Sequence, residues 1–134
     1  MKMQRVGRLY AVGLLVLALA VSYGNLNLQK GKKEKEISYS KDVFPIIKKY
    51  CLICHSLEND HPSELFLDTY EDMMNESRHG KAILPGEAEK SPFYQKLLSP
   101  PPFGRQMPPS RKIKLTPEQI ELLRVWINQG AKNN

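Results

Sequence analysis

The sequence is short of cysteine, of histidine and of long apolar runs. Its 134 residues hold two cysteines and three histidines. Two cysteines exclude the disulfide framework that staples many small secreted domains. They also exclude a four-cysteine zinc site, and His61 and His79 make a poor second half for a mixed one. No stretch shows strand alternation and no segment repeats, which argues against β-rich and repeat architectures. Excess charge is scarce too. The whole chain carries a formal +6, yet residues 38–134 hold 13 Lys and Arg against 12 Asp and Glu, a net of +1. That balance leaves no electrostatic footprint for nucleic acid. No nucleophile–base pair or catalytic metal cluster is visible, so the chain does not read as a free-standing enzyme.

What is present is concentrated in five residues, Cys51-Leu52-Ile53-Cys54-His55. Two cysteines separated by two residues, with a histidine directly after, form the attachment pattern for a c-type haem. On a helical turn, positions 51 and 54 share one face. Their sulfurs can add to the two vinyl groups on one side of a porphyrin, and His55 can rise under the ring as the proximal iron ligand. Three other readings compete. A redox dithiol expects a thioredoxin-like strand–helix context. A zinc site lacks its second pair of ligands. A disulfide would be strained by the tight helical spacing.

Residues 1–29 read as a signal peptide or a retained membrane anchor. Lys2, Arg5 and Arg8 precede an apolar run from Leu9 to Tyr23, and Ala18-Leu19-Ala20 resembles a small-residue cleavage site. A spanning helix of roughly 20 apolar residues is reached only by including Gly24, Asn25 and Asn27. Either way the positive start stays inside and the rest is exported, so a periplasmic protein, soluble or held to the inner membrane, is expected. Residues 30–37 form a charged linker, leaving residues 38–134 as one small domain.

The expected elements of that domain are helical. Ser40 or Asp42 caps a first helix, with Pro45 in its first turn, and Val43, Ile47, Tyr50 and Cys54 recur at helical spacing. Thr69 to Asn75 reads as a short helix with Met73 or Met74 facing inward. Ser91 caps and Pro92 opens another, over Phe93 to Leu98. The last helix carries a capping box of Thr116 and Gln119, an apolar face of Ile120, Leu123 and Ile127, and a Gly130 terminator. Trp126 beside that face reads as core rather than as an electron relay. The fold class expected is all-α: a small helical domain around a covalent haem, preceded by an N-terminal signal or anchor helix.

A second iron ligand is open on residue grounds. Met107 lies in a loop stiffened by Pro108 and Pro109, which holds a weak thioether ligand at low entropy cost. It is equally suited to filling core space. His79 would make a bis-histidine site, and His61 competes less because it lies near His55. An open sixth position is the remaining option.

The order of short motifs narrows the choice. Phe44-Pro45-Ile46-Ile47, the haem motif, Leu67-Asp68-Thr69-Tyr70, Ile83-Leu84-Pro85-Gly86, Ser91-Pro92, Met107-Pro108-Pro109, Leu115-Thr116-Pro117 and Trp126-Ile127-Asn128-Gln129-Gly130-Ala131 follow one another. Together they resemble the planctomycete-type cytochrome c domain, a monohaem relative of class I cytochrome c, over nearly all of residues 42–132. The haem motif is shared by every c-type cytochrome; the Leu-Pro-Gly, Met-Pro-Pro and Trp-Ile-x-x-Gly-Ala signatures are far more specific. Family members often carry glycines where this chain has His61-Pro62-Ser63-Glu64. The resemblance implies an all-helical fold, one covalent haem c, His55 as proximal ligand and Met107 as distal ligand. The function expected is one-electron transfer with redox protein partners on the outer face of the inner membrane. Arg105, Arg111, Lys112 and Lys114 flank the methionine loop and would face haem propionates or an acidic partner. Two rival roles are an electron-transfer subunit of a larger membrane oxidoreductase and a haem-based ligand sensor.

Overall fold

The computed structural model describes residues 35–110 and 112–134. The expected signal or anchor over residues 1–29 lies outside the described residues, as do Arg111 and most of the linker. Among the described residues, no helix is long and apolar enough to cross a membrane. The chain divides into two units, Met1–Lys35 and Glu36–Asn134, and every site residue considered below belongs to the second.

The domain starts earlier than its helix signals suggest. Ser38, not Ser40 or Asp42, is the cap: its hydroxyl accepts from the Lys41 N–H, and its own N–H donates to the Asp42 carboxylate at 2.9 Å. A single wide turn over Tyr39–Val43 leads into α1, Phe44–Tyr50, with Pro45 in its first turn. The helix breaks at Cys51, and α2, Leu52–His55, carries the second cysteine and the histidine. Helix α3, Tyr70–Met74, is capped by the Thr69 hydroxyl and buries Met73. Helix α4, Pro92–Gln95, is shorter than expected. Ser91 stands before it but does not cap it, because its buried hydroxyl accepts from the Leu84 N–H at 2.9 Å and donates to the Glu87 carbonyl at 3.0 Å. The last helix, α5, Pro117–Asn128, has the expected capping box of Thr116 and Gln119. It ends before Gly130, whose φ of +98° suits a residue without a Cβ.

The all-α expectation is corrected by a small antiparallel sheet. Strand β1, Glu76–Ser77, pairs with β2, Gly80–Lys81, in the register Glu76 to Lys81 and Ser77 to Gly80. Strands of two residues are too short to display a period of two, so no alternation marked them. The pair is held by tertiary contacts instead. The Arg78 N–H donates to the Ser63 carbonyl at 2.9 Å, and the Arg78 guanidinium meets Glu64 at 2.6 Å.

The core gathers where α5 packs on α4 and on the turns at Tyr39–Val43 and Ala88–Lys90. Val43, Ile47, Leu67, Met73, Ile83, Leu123, Trp126 and Ile127 are fully buried there. Trp126 donates its indole N–H to the Lys132 carbonyl at 3.0 Å, so it serves as packing with one satisfied polar end. The two ends of the domain are joined: Tyr39 N–H donates to Asn134 Oδ1 at 2.8 Å, and Ser40 N–H to the Asn134 carbonyl at 3.0 Å.

Tyr39 packs edge-on against Tyr70, with ring centroids 5.2 Å apart, and lies 5.9 Å from the Trp126 ring. Its hydroxyl is buried and finds no hydrogen-bond partner among the described residues. Burial, reinforced by Glu71 and Asp72, pushes its pKa up to about 12. An unpartnered buried hydroxyl contributes a desolvation cost and nothing in return. Tyr39→Phe is therefore expected to leave stability unchanged or raise it by up to ~1 kcal/mol, read by denaturant unfolding of the purified domain. A loss of more than ~1 kcal/mol would contradict this account of the hydroxyl.

Candidate cofactor site

One cavity of about 910 Å³ opens beside α2. Protein interiors are close-packed, with few voids larger than a water molecule. Space on this scale is the size of a ligand site, at the upper end of the usual range of roughly 300–1,000 Å³. Its wall brings together Cys51, Cys54, His55, His61, His79 and Met107, residues spread over more than fifty positions of sequence. Three of the large exposed apolar side chains also line it: Ile53 at 70%, Phe103 at 45% and Ile113 at 38% exposure. Apolar groups that face an open cavity are covered when a large apolar ligand fills it.

The first wall is built from α2 and the chain that follows it. Cys51 N–H donates to the Ile47 carbonyl at 2.8 Å and His55 N–H to the Cys51 carbonyl at 2.9 Å, which keeps the motif helical. Neither cysteine is in a disulfide. Burial pushes the Cys51 thiol up to about 12, with Cys54 adding to the rise, whereas a redox dithiol needs a lowered thiol pKa. The His55 ring donates from Nδ1 to the Leu65 carbonyl at 2.9 Å. That bond selects the tautomer with its lone pair on Nε2 and fixes the ring plane, as second-shell partners do for metal-bound histidines. Burial, with His61 nearby, lowers the His55 pKa against the opposing pull of the Leu65 carbonyl, and so favours the neutral, ligating form.

His61 sits on this same wall. Its ring centroid is 4.1 Å from that of His55, and its Nδ1 lies 2.8 Å from the Ser63 hydroxyl. Two imidazoles on opposite sides of one iron stand end-on with the metal between them. Rings in stacking contact cannot both do so, and His61 is a wall residue rather than a second ligand in this arrangement. His79 lies on the exposed turn between β1 and β2. Met107 is half-buried, and Pro108 and Pro109 line the cavity beside it. Among the described residues, no group of three or more His, Cys, Asp or Glu side chains is placed to hold a metal ion, which is the arrangement a zinc site would need.

Among the described residues, charge on the cavity wall has one sign: Lys81 and Lys96 line it, and no Asp or Glu does. The carboxylates of haem would meet no like charge there. An apolar space of this size, a paired thiol and imidazole on one side, a thioether loop contributing to the lining and only cations among the charged groups together fit a haem. Of the flanking cations expected to matter, Arg105, Lys112 and Lys114 are exposed and do not line the cavity, while Arg111 is outside the described residues.

Sequence reasoning missed three contributors: the Leu65 carbonyl, the β1–β2 pair and Asp68. Asp68 accepts from the Ser56 hydroxyl at 2.7 Å and from the Leu57 N–H at 2.8 Å. It thereby ties the residues that leave α2 to the strand-like segment that holds His55. Asp68→Ala is expected to cost about 1–3 kcal/mol, the range for charge-assisted hydrogen bonds, with Asp68→Asn losing less. Denaturant unfolding of the exported protein checks it; a cost below ~0.5 kcal/mol would show that the tie is not needed.

Comparison with known protein families gives a match to part of the chain. Residues 51–111 fit the family model of Planctomycete cytochrome C, a span that runs from the first cysteine to just past Met107. No curated protein and no solved structure matches the chain. The match and the cavity agree on the same residues: Cys51, Cys54, His55 and Met107 all lie within residues 51–111, the span that is similar to the planctomycete cytochrome c family.

Proposed function

We propose that the domain is a monohaem c-type cytochrome that passes single electrons between redox proteins on the outer face of the inner membrane, as a carrier and not as an enzyme. The observation that supports it most is the cavity: Cys51, Cys54 and His55 meet Met107 around one apolar space. In this reading Cys51 and Cys54 would form the thioether links, and His55 through Nε2 and Met107 through its sulfur would hold the iron. The haem would supply a one-electron iron couple. The protein's part is to hold both ligands in either oxidation state, so that little rearranges when the charge changes. His55 is oriented by the Leu65 carbonyl. Leu67, Phe93 and Leu97 present apolar atoms that keep water from the centre. A methionine ligand and an apolar surround both favour the reduced, less charged state and raise the potential. The basic and then apolar first 29 residues support export to the compartment where such haems are attached.

Intact mass and visible spectra of the exported protein test this reading. The mature chain is expected to carry the mass of one haem that survives denaturation, and its oxidised form a weak far-red band from sulfur ligation. Met107→Ala should abolish that band and lower the reduction potential by on the order of 100 mV. His79→Ala should leave both unchanged. A mature chain with only polypeptide mass would end the electron-carrier reading, and the reverse pattern in the two variants would reassign the distal ligand to His79.

A further inference from the structure

The segment that carries Met107 has no helix or strand from Ser99 to Ser110 and contains five prolines. It cannot be held by repeating backbone bonds, and its fixation falls to individual contacts. Most of these converge on the two residues that follow α4. Met107 N–H donates to the Lys96 carbonyl at 2.7 Å, and Gln106 Nε2 donates to the Leu97 carbonyl at 3.0 Å. The Lys96 side chain then reaches back across the loop. Its ammonium donates to the Phe103 carbonyl at 3.1 Å and to the Arg105 carbonyl at 3.2 Å, and lies 4.6 Å from the Phe103 ring centroid. Between those two carbonyls stands Gly104, with φ +58°, and a Cβ there would run into the Lys96 ammonium. Lys96 and Met107 line the same cavity.

Resting on the reading of Met107 as distal ligand, we propose that Lys96 is a positioning residue for that ligand, a cation that gathers the carbonyls of Phe103 and Arg105 and so sets where the Met107 thioether stands. A thioether is a neutral, weak donor, and its hold on iron depends on how little the loop gains by leaving. Charge-assisted hydrogen bonds are about twice as strong as neutral ones, and these two end on residues two and four positions before the ligand. The Lys96 main chain grips the ligand residue itself, while the side chain grips the approach to it. Gly104 belongs to the same device, because the ammonium occupies the space its Cβ would take.

The test uses the exported holoprotein with Lys96→Met and Gly104→Ala. Lys96→Met keeps the length of the side chain and the backbone bond to Met107 but removes the charge; Gly104→Ala keeps the lysine and displaces its ammonium. Haem content is measured first, then the far-red band and the reduction potential. Both variants should hold wild-type haem yet show a weakened band, a lower potential and about a tenfold larger population with sulfur detached. Lys96→Arg, which retains the charge and its hydrogen-bond donors, should lie closer to wild type than Lys96→Met. Wild-type band and potential in Lys96→Met at full haem content would overturn the proposal. Should Lys96→Met yield no holoprotein, Gly104→Ala decides in the same way. A wild-type protein that carries haem but lacks the band overturns the Met107 reading and this proposal with it. Loss of the band in Met107→Ala together with its full retention in both clamp variants overturns this proposal alone.

Discussion

A domain of about a hundred residues that leaves some 910 Å³ unfilled by its own side chains forgoes dispersion contacts along an entire wall. The cavity lining includes the exposed apolar side chains of Ile53 and Phe103. The fold around it makes sense as a shell whose missing core is a ligand. Part of the buried core gathers where α5 meets the turns at Tyr39–Val43 and Ala88–Lys90, while buried Leu67, Ala82, Phe93 and Leu97 also line the cavity. Residues between Tyr50 and Ile113 supply the cavity wall from short helices, a two-residue strand pair and loops. A small domain that lacks the surface-to-volume advantage of a larger one gains the most from an added apolar body.

Such a wall is built from irregular chain, and irregular chain needs specific ties in place of ladders. Each portion of it is held by a polar group that satisfies backbone atoms nearby. Asp68 serves Ser56 and Leu57, the Leu65 carbonyl serves His55, the Ser91 hydroxyl serves Leu84 and Glu87, and Lys96 serves Phe103 and Arg105. The two sides are tied independently. The histidine side closes through residues 55–68, and the methionine side closes through residues 96–107, with no shared hydrogen bond among those named. A disturbance of the ties around His55 therefore need not travel to the Met107 loop, which suits the proposed carrier, whose two candidate ligands would have to stay in place as its charge changes.

Part of the candidate site was legible in the sequence, because the Cys51, Cys54 and His55 spacing is local: the residues expected to act together do line one cavity. The α5 capping box was legible for the same reason: all its bonds run within three residues. The first cap was not. Ser38, Ser40 and Asp42 are all cap-forming types within five residues, and the choice of Ser38 goes with contacts from Ile37 to Gln129 and from Tyr39 and Ser40 to Asn134, more than ninety positions away. Ser91 misled because a buried hydroxyl followed its nearest unpaired backbone groups rather than the helix start. The strand pair escaped because two residues carry no period, so the all-helical expectation failed at that point. Lys96 escaped because its partners are carbonyls in a proline-rich loop, and carbonyls have no signature in sequence.

The near-neutral charge of the domain conceals a division of labour. The stretch from Glu58 to Glu76 holds seven carboxylates, which in isolation suggests a cation site or an acidic docking face. In the fold, several of them serve local turns: Asp68 closes the segment after α2, Asp72 accepts from the Thr69 hydroxyl at 2.6 Å at the start of α3, and Glu64 pairs with Arg78 beside the strand pair. Among the described residues no carboxylate lines the cavity wall, whereas Lys81 and Lys96 do. An anion, or the acidic edge of a bound group, that enters the cavity meets those two lysines at its wall. The net charge of the chain, which is inflated by its N-terminal lysines and arginines, says little about that encounter.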